Sequence, residues 1–417
     1  MMMYTMTDKE IRRHHVINCA IEGKNTVKEA AKLLNLSERR IKQLKKEVRK
    51  AGVEAVIHGN KQHRPIHSLS AEIKDRIISL KTSYAYELCN FAHFQELLEE
   101  NEGIVISYSA LHSLLTKAGI KSPKKHRKHK KHLLRARKPA EGMMLQADGT
   151  PHDWFCSGKK QSLHGFIDDA TGTITGLYMC EAECLFGYLE VTRQTIKKHG
   201  VPLSLYPDKY SVFFPTQKKE YSLSIEDELA GMEKAVTQFG RIMRELGVEM
   251  FPANTPQAKG RIERLWGTLQ SRLVSEFRIR DIRNIEEANK FLPGYIKKYN
   301  DRFSIKPASD KNAFLPLPAK FNLDTLLCVR IPRVTDNSGV ISIHNCRFVI
   351  ADNNVPPRAK VTILLSKESG MRAEYKGKLF PVRLVLPLKS SLEPEVTLAN
   401  VTKKRMQEYF FKDAKAA

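Results

Sequence analysis

The stretch NTPQAKGRIERLWGTLQSRL, residues 254–273, reads as a helix with a defined start and one special edge. Thr255 is a good N-cap, and Pro256 suits the first helical position, where its missing N–H costs nothing. Ile262, Leu265, Trp266, Leu269 and Leu273 then share one apolar face at helical spacing. Glu263 falls about 100° from Ile262, beside Lys259 and Gln270 on the border of that stripe. A carboxylate on this border is carried to the rim of whatever the helix packs on. Gly260 and Gly267 leave the neighbouring surface bare, at roughly 1 kcal/mol each against alanine.

The partner of that helix is legible upstream. Met143 to Gly149 (MMLQADG), Leu163 to Asp168 (LHGFID), Thr173 to Cys180 (TITGLYMC) and Val201 to Tyr206 (VPLSLY) read as strands. Helical periodicity returns at Cys184 to His199 and Asp227 to Leu246. Three strands, then helix, strand and helix, predict an α/β core with a mixed sheet over residues 141–300. Asp148 closes the first strand and Asp208 lies just past the fourth, at ends from which side chains reach a cleft. Three carboxylates gathered with Glu263 would repel one another unless cations neutralised them. Mg²⁺, or Mn²⁺ in its place, meets that need through few carboxylates and keeps positions for water and phosphate. Two such ions roughly 4 Å apart serve an in-line displacement at phosphorus. Asp148, Asp208 and Glu263 are therefore the candidate catalytic and metal-binding residues.

Rival acids have simpler explanations. Asp168-Asp169 opens DATGT, a hairpin turn in which an acid caps and Gly172 takes positive φ, so a structural role is expected. Asp153 is a weaker rival. Trp154 and Trp266 are expected in the core, and His152 and His164 as structural histidines.

The 417 residues carry 70 Lys+Arg against 46 Asp+Glu, a net charge of +24 that calls for a polyanionic partner. A hydrophobic content of 41% excludes disorder as the main state. No run approaches the ~18 apolar residues of a membrane helix, and the start lacks the pattern of a signal peptide. A cytoplasmic protein without a membrane partner is expected. Seven scattered cysteines, none in a C-x-x-C pair, argue for reduced thiols and against a zinc or disulfide framework. Residues 1–138 hold 29 Lys+Arg against 14 Asp+Glu, so +15 of the +24 lies in the N-terminal third.

Within that third, Thr26 to Gly52 carries two apolar stripes, Val27, Ala30, Ala31, Leu34 and then Ile41, Leu44, Val48. Asn35-Leu36 breaks the run and Ser37 caps the second helix. This predicts a helix-turn-helix in residues 1–66, with Arg39, Arg40, Lys42, Lys45, Lys46, Arg49 and Lys50 outside the stripe, as a helix in the major groove requires. Residues 67–120 hold three more amphipathic stretches, a second helical domain that reads as a further helix-turn-helix or as plain helices. Residues 121–140 form a linker. Its run from Lys121 to Lys138 has ten Lys/Arg and no acid, and Lys124, Lys125, Arg127, Lys128, Lys130 and Lys131 are candidate phosphate contacts. After the core, Pro293, Pro307, Pro316 and Pro318 mark a connector, assigned to 301–320. Short pieces at Thr325–Val334, Val340–Ile343, Cys346–Ile350, Lys360–Leu365, Met371–Tyr375 and Leu379–Leu386 predict a small all-β barrel over 321–395, followed by a tail, 396–417. The chain is thus multidomain: all-α at its N-terminus, α/β in the core and all-β at the C-terminus.

The blocks LQADGTPHDWF, GFIDDATGTITGLYMCEAE, LYPDKYSVF and NTPQAKGRIERLWGTLQSRL resemble the integrase-core transposases of bacterial insertion sequences, closest to the ISNCY type. YNDRFSIKPAS looks like that family's segment after the core. The resemblance implies an RNase H-like core using two Mg²⁺ ions on Asp148, Asp208 and Glu263. It implies binding of terminal inverted repeats in double-stranded DNA, hydrolysis at the element's ends to free 3′-hydroxyls, and their transfer to target DNA by transesterification. It also implies synapsis by a homodimer or larger assembly, and a location with the bacterial nucleoid. Two features depart from the pattern. The second Asp and the Glu lie 55 positions apart, with residues 210–227 as an inserted loop, and Gln270 stands where family enzymes often carry Lys or Arg. Lys259 and Arg261 are the candidate DNA contacts in their place, with Arg264 and Arg272 next. The alternative from another class is a non-catalytic helix-turn-helix regulator with a decayed integrase core.

Overall fold

The computed structural model describes residues 6–57, 69–123, 135–215, 236–253, 259–343, 346–350 and 355–385. The chain divides into two compact units, Met1–Arg76 and Ile77–Ala417. In the first, α1 (Asp8–Ile21), α2 (Val27–Leu34) and α3 (Glu38–Ala51) enclose a small core of Ile17, Ala30, Ile41 and Leu44. The predicted caps form. Thr26 Oγ1 accepts from the Glu29 N–H at 3.3 Å while Glu29 accepts from the Thr26 N–H at 2.8 Å, and Ser37 Oγ accepts from the Arg40 N–H at 3.3 Å. Asn35 makes the turn at φ 52°, a left-handed conformation that Asn tolerates.

The division falls within α4 (Ala71–Thr82), and in the second unit α5 (Phe91–Glu102) and α6 (Tyr108–Lys117) precede the sheet. Then follow β1 (Leu145–His152), β2 (Gln161–Asp168), β3 (Ile174–Cys180), α7 (Leu185–Lys198), β4 (Ser204–Tyr206), α8 (Gln238–Leu246), β5 (Glu249–Met250), α9 (Gly260–Ile279) and α10 (Ile285–Phe303). The sheet runs β3-β2-β1-β4-β5, antiparallel through β1, β2 and β3, and parallel from β1 to β4 and β5. This is the mixed sheet that the strand order predicts. Alternation within the strands feeds two cores: Leu145, Ala147 and Phe166 pack with α7 and α8, while Leu163, Ile167 and Ile174 pack with α9 and α10. The outer edge of β3 is closed by amide side chains. Gln194 pairs with both backbone groups of Leu177, Asn289 with those of Met179 and Asn300 with those of Ile174, at 2.8–3.1 Å. Such pairing removes the open ladder that invites strand addition.

Three expectations change. β1 runs past Gly149 to His152, because its ladder with β2 continues to the His152↔Gln161 pair, so Asp148 ends only the parallel pairing. Pro293 lies inside α10 rather than in a connector, since Leu292, Tyr295, Ile296 and Tyr299 bury around it and outweigh a local cost of ~3 kcal/mol. The strand expected from Thr325 starts at Val329, after a helical turn, α11 (Leu323–Leu326). The cap at Thr255-Pro256, residues 216–227 of the inserted loop and the tail 396–417 lie outside the described residues.

β6 (Val329–Val334), β7 (Val340–Ile343), β8 (Cys346–Ile350), β9 (Lys360–Ser366), β10 (Gly370–Tyr375) and β11 (Lys378–Val385) form an all-antiparallel sheet, order β6-β9-β10-β11-β8-β7. Its two outer strands are consecutive in the chain. Asp336 turns between them by accepting from the N–H groups of Ser338 and Val340, which brings the sheet near closure. Arg193–Asp324 at 2.6 Å and Arg330–Glu245 at 3.0 Å fasten this layer to α7 and α8.

Candidate functional site

Register sets two acids side by side. The parallel pair β1–β4 is Leu145↔Leu205 and Gln146↔Tyr206, and two residues further along each chain stand Asp148 and Asp208. Neighbouring strands lie ~4.8 Å apart, so the carboxylates feel one another. Burial pushes Asp208 above its ordinary value; Lys259 opposes this and the charge of Asp148 adds to it. Asp208 Oδ1 is buried with no hydrogen-bond partner among the described residues.

Asp148 is gripped from α9. Its Oδ1 accepts from Lys259 Nζ at 2.7 Å and its Oδ2 from the Trp266 indole N–H at 2.9 Å. Gly165, opposite Asp148 in the β1–β2 register, makes this possible, because a Cβ there would stand 2.8 Å from the edge of the Trp266 ring. One step further, Gln270 donates to Thr150 Oγ1 at 3.1 Å. Positions 259, 266 and 270 thus form a stripe of α9 that follows β1. Glu263 belongs to the same stripe, one turn after Lys259 and one before Trp266. It is exposed and makes no hydrogen bond or ion pair among the described residues. The structure therefore brings Asp148 and Asp208 together and sets Glu263 on their side of the helix. Among the described residues no three His, Cys, Asp or Glu side chains stand close enough to hold one metal ion.

A fourth carboxylate escaped the sequence reading. Burial raises Glu183, in the loop between β3 and α7, and the charges of Asp148 and Asp208 add to the shift. Tyr188 donates its hydroxyl to Glu183, and Gly149 leaves the space that Glu183 fills, since a Cβ there would lie 2.8 Å from the Glu183 Cδ. The acid-rich EAE after the third strand was the available signal.

Asp168 and Asp169 are structural hubs, both fully buried. Asp168 accepts from the N–H groups of Ala170, Thr171 and Gly142, and Gly172 turns at φ 74°. Asp169 holds Arg135, Arg261 at 2.8 Å and Gln146 at 2.8 Å. Asp153 caps its own turn through the N–H groups of Ser157 and Gly158. Trp154 is fully buried, with its N–H on the Gln161 carbonyl at 3.0 Å. His164 bridges the Tyr178 carbonyl and the Cys184 N–H.

The candidate DNA contacts divide sharply. Arg39, Arg40, Lys42 and Lys46 are exposed on α3. Lys45 instead donates to the Ala20 carbonyl at 2.6 Å, satisfying an acceptor that α1 leaves open at its C-terminus. Lys259 is buried against Asp148, and Arg261 is spent on Asp169 and on the Arg135 carbonyl. Arg272 faces away from the carboxylates, paired at both guanidinium nitrogens with Glu96 of α5. Lys124, Lys125, Arg127, Lys128, Lys130 and Lys131 lie outside the described residues. No helix among the described residues is long and apolar enough to cross a membrane.

Comparison with known proteins bears on this arrangement. A family profile described as a helix-turn-helix domain matches residues 12–65. The chain is 36% identical over 372 residues to the transposase for insertion sequence IS1202 of Streptococcus pneumoniae, covering 82% of this chain and 78% of that one. It is 32% identical over 362 residues to the putative transposase y4bF of Sinorhizobium fredii, covering 85% and 75%. Among solved structures it is similar to the simian T-cell lymphotropic virus intasome in complex with PP2A regulatory subunit B56 gamma, at 15% identity and TM-score 0.30, covering 75% of this chain and 99% of that one. It is also similar to the HTLV-2 integrase catalytic core domain in complex with magnesium, at 17% identity and TM-score 0.26, covering 37% and 84%. The assignment rests on the sequence relatives, which match along most of both chains: the protein belongs to the transposases of insertion sequences.

Proposed function

We propose that this transposase is of the Asp-Asp-Glu type, with an RNase H-like core and a closed C-terminal barrel. It binds the terminal inverted repeats of its element, hydrolyses at each end to free a 3′-hydroxyl and transfers that end to target DNA. The observation that carries the reading is the Asp148–Asp208 pair just past the parallel pairing of β1 and β4, with a buried oxygen on Asp208 that is unpartnered among the described residues and an ammonium against Asp148. Hard carboxylate oxygens at such a place suit Mg²⁺ or Mn²⁺, and Asp148, Asp208 and Glu263 would hold two such ions. Bound there, the ions supply activation of the attacking oxygen and stabilisation of the leaving one.

The rest is the work of the chain. Trp266 fixes one oxygen of Asp148 and leaves the other for a cation, the part Lys259 now plays. With DNA in place the Lys259 ammonium passes to a phosphate oxygen. Arg261 anchors the incoming linker on Asp169. The exposed cations of α3 enter the major groove, the linker lysines and Arg127 neutralise phosphates, and two copies synapse the two ends in the cytoplasm at the nucleoid.

Purified protein with Mg²⁺ and a labelled duplex carrying the element's end tests the proposal. Joining is expected for the native chain. Glu263→Gln and Asp148→Asn are expected to abolish joining, by at least about 100-fold, while end binding persists. Strand joining by a variant lacking both acids would sink the assignment. The regulator reading draws on the lack of a three-ligand cluster among the described residues. Calorimetric titration with Mn²⁺ separates the two, since a decayed core takes up no carboxylate-dependent metal.

A further inference from the structure

Beside the carboxylates lies a second concavity, a slot of about 330 Å³. One wall is the C-terminal half of α9, with Gln270 and Val274; the other is the turn after β1, with His152 and Asp153; Asn90, which caps α5, closes one end. Pro123, near the start of the basic run, also lines it. The volume is at the low end for organic ligand pockets.

The lining has the wrong charge for a phosphate. Among the described residues it contains no lysine or arginine and one carboxylate, in a chain whose net charge is +24. Both Asp153 oxygens accept from the Ser157 and Gly158 N–H groups, so this carboxylate is already engaged beside the slot. A polyanion therefore places something other than its backbone here. What the slot does offer is a flat ring and amide groups. Burial lowers the proton affinity of His152, so its ring is neutral at pH 7. Gln270 uses its N–H₂ group on Thr150, and its carbonyl oxygen takes no hydrogen bond among the described residues. Asn90 uses its oxygen to cap the His93 N–H, and its N–H₂ group makes no hydrogen bond among the described residues. A ring face with one amide acceptor and one amide donor is how proteins read the edge of an unpaired base.

Position gives the register. Asp148, Thr150 and His152 alternate on one side of β1, so His152 lies ~13 Å from Asp148 along the strand. Gln270 lies two helical turns, ~10 Å, beyond Glu263. At 3.4 Å per base step of a duplex strand, these are three to four nucleotides. We infer that the slot takes one unpaired base of the bound DNA end, three or four nucleotides from the bond that is broken, stacked on His152 and hydrogen-bonded by Gln270 and Asn90. The inference rests on the proposed placement of the scissile phosphate at Asp148 and Asp208.

The test uses the full chain without divalent ions, so that ends are bound and not cut. Fluorescence anisotropy measures affinity for end duplexes in which single nucleotides near the cleavage point are made abasic. One abasic position is expected to weaken binding by the native chain about 10-fold, the scale of one base stacked on an aromatic ring. Val274→Trp, which fills the slot, is expected to weaken the intact end about as much and the abasic end not at all. His152→Ala, which leaves the slot open, shows the same pattern at smaller size and guards against misfolding of the tryptophan variant. Equal losses for intact and abasic ends, or no single nucleotide that matters, would overturn the inference while end binding stands. Absence of any end binding would overturn the inference together with the transposase reading beneath it.

Discussion

The cations of α3 and those of α9 are built in opposite ways. On α3, Arg39, Lys42 and Lys46 are exposed, and the Arg40–Glu47 ion pair at 3.4 Å is of the loose surface kind worth ~0–1 kcal/mol. On α9, Lys259, Arg261 and Arg272 each sit against a carboxylate, at 2.6–2.8 Å. A single figure for net charge hides this. The first set is available to a polyanion; the second is neutralised locally and fixes where helices and carboxylates stand. Apart from Lys259, which is proposed to pass to DNA, removing a cation should therefore cost DNA affinity in one place and folding stability in the other.

The sharpest break is Arg272→Ala. It strands Glu96, which is 7% exposed and, among the described residues, left with Arg302 at 2.7 Å. Breaking a buried pair from one side costs about 3–5 kcal/mol. Thermal or urea unfolding should show a loss of that order, and Arg272→Met with Glu96→Leu should recover most of it. A loss below about 1 kcal/mol for the single change would place this pair with the surface cations and erase the contrast.

Acid should find the same seam between α5, α9 and α10. Burial pushes Glu276 up, but His93, Arg280 and Lys298 win and hold it down at about 2, below its ordinary 4.5. A carboxylate depressed on folding contributes stability above pH 4.5 that is lost as pH falls toward 2, here about 3 kcal/mol. Burial lowers His93 below its ordinary 6.5 in spite of Glu276. A neutral buried histidine likewise contributes stability above pH 6.5 that is lost as pH falls below it. Thermal midpoints should thus decline on acidification in two steps, and His93→Gln should flatten the upper one. A midpoint unchanged from pH 7 to pH 5 would refute the sign for His93, and one unchanged from pH 4.5 to pH 2 the sign for Glu276.

These networks also mark the limit of what the amino-acid order discloses. The strands that carry Asp148 and precede Asp208, and the helix of Glu263, were legible because short apolar runs and a 3.6-residue stripe are local patterns, whereas the continuation of β1 past Asp148 depends on its partner strand. The two turns capped by Thr26 and Ser37 were legible for the same reason. Lys259 on Asp148 spans 111 positions and Glu96 on Arg272 spans 176; no periodicity signals either. Asp169 looked like a turn residue, and its turn is real, yet its main work is to gather Arg135 and Arg261 from distant segments. Glu183 went unread because its tie to Asp148 runs through the empty side of Gly149. Pro293 misled because local propensity says nothing of the apolar face that α10 buries.

The smallest effect tests the contrast inside a single helix. Lys45 and Lys46 are neighbours with the same charge, but Lys45 closes the Ala20 carbonyl of α1 and Lys46 points to solvent. Lys45→Ala should cost stability on the order of 1 kcal/mol, the scale of a partly exposed hydrogen bond from a charged donor. Lys46→Ala should stay within about 0.5 kcal/mol in stability, yet flatten the dependence of log affinity on log salt by about 0.9 if it neutralises one phosphate. Measuring both variants by unfolding and by salt titration of end binding makes each the control for the other. Swapped results would mean that Lys45 leaves its carbonyl when DNA arrives, and the division between holding DNA and holding the fold would then run through α3 itself.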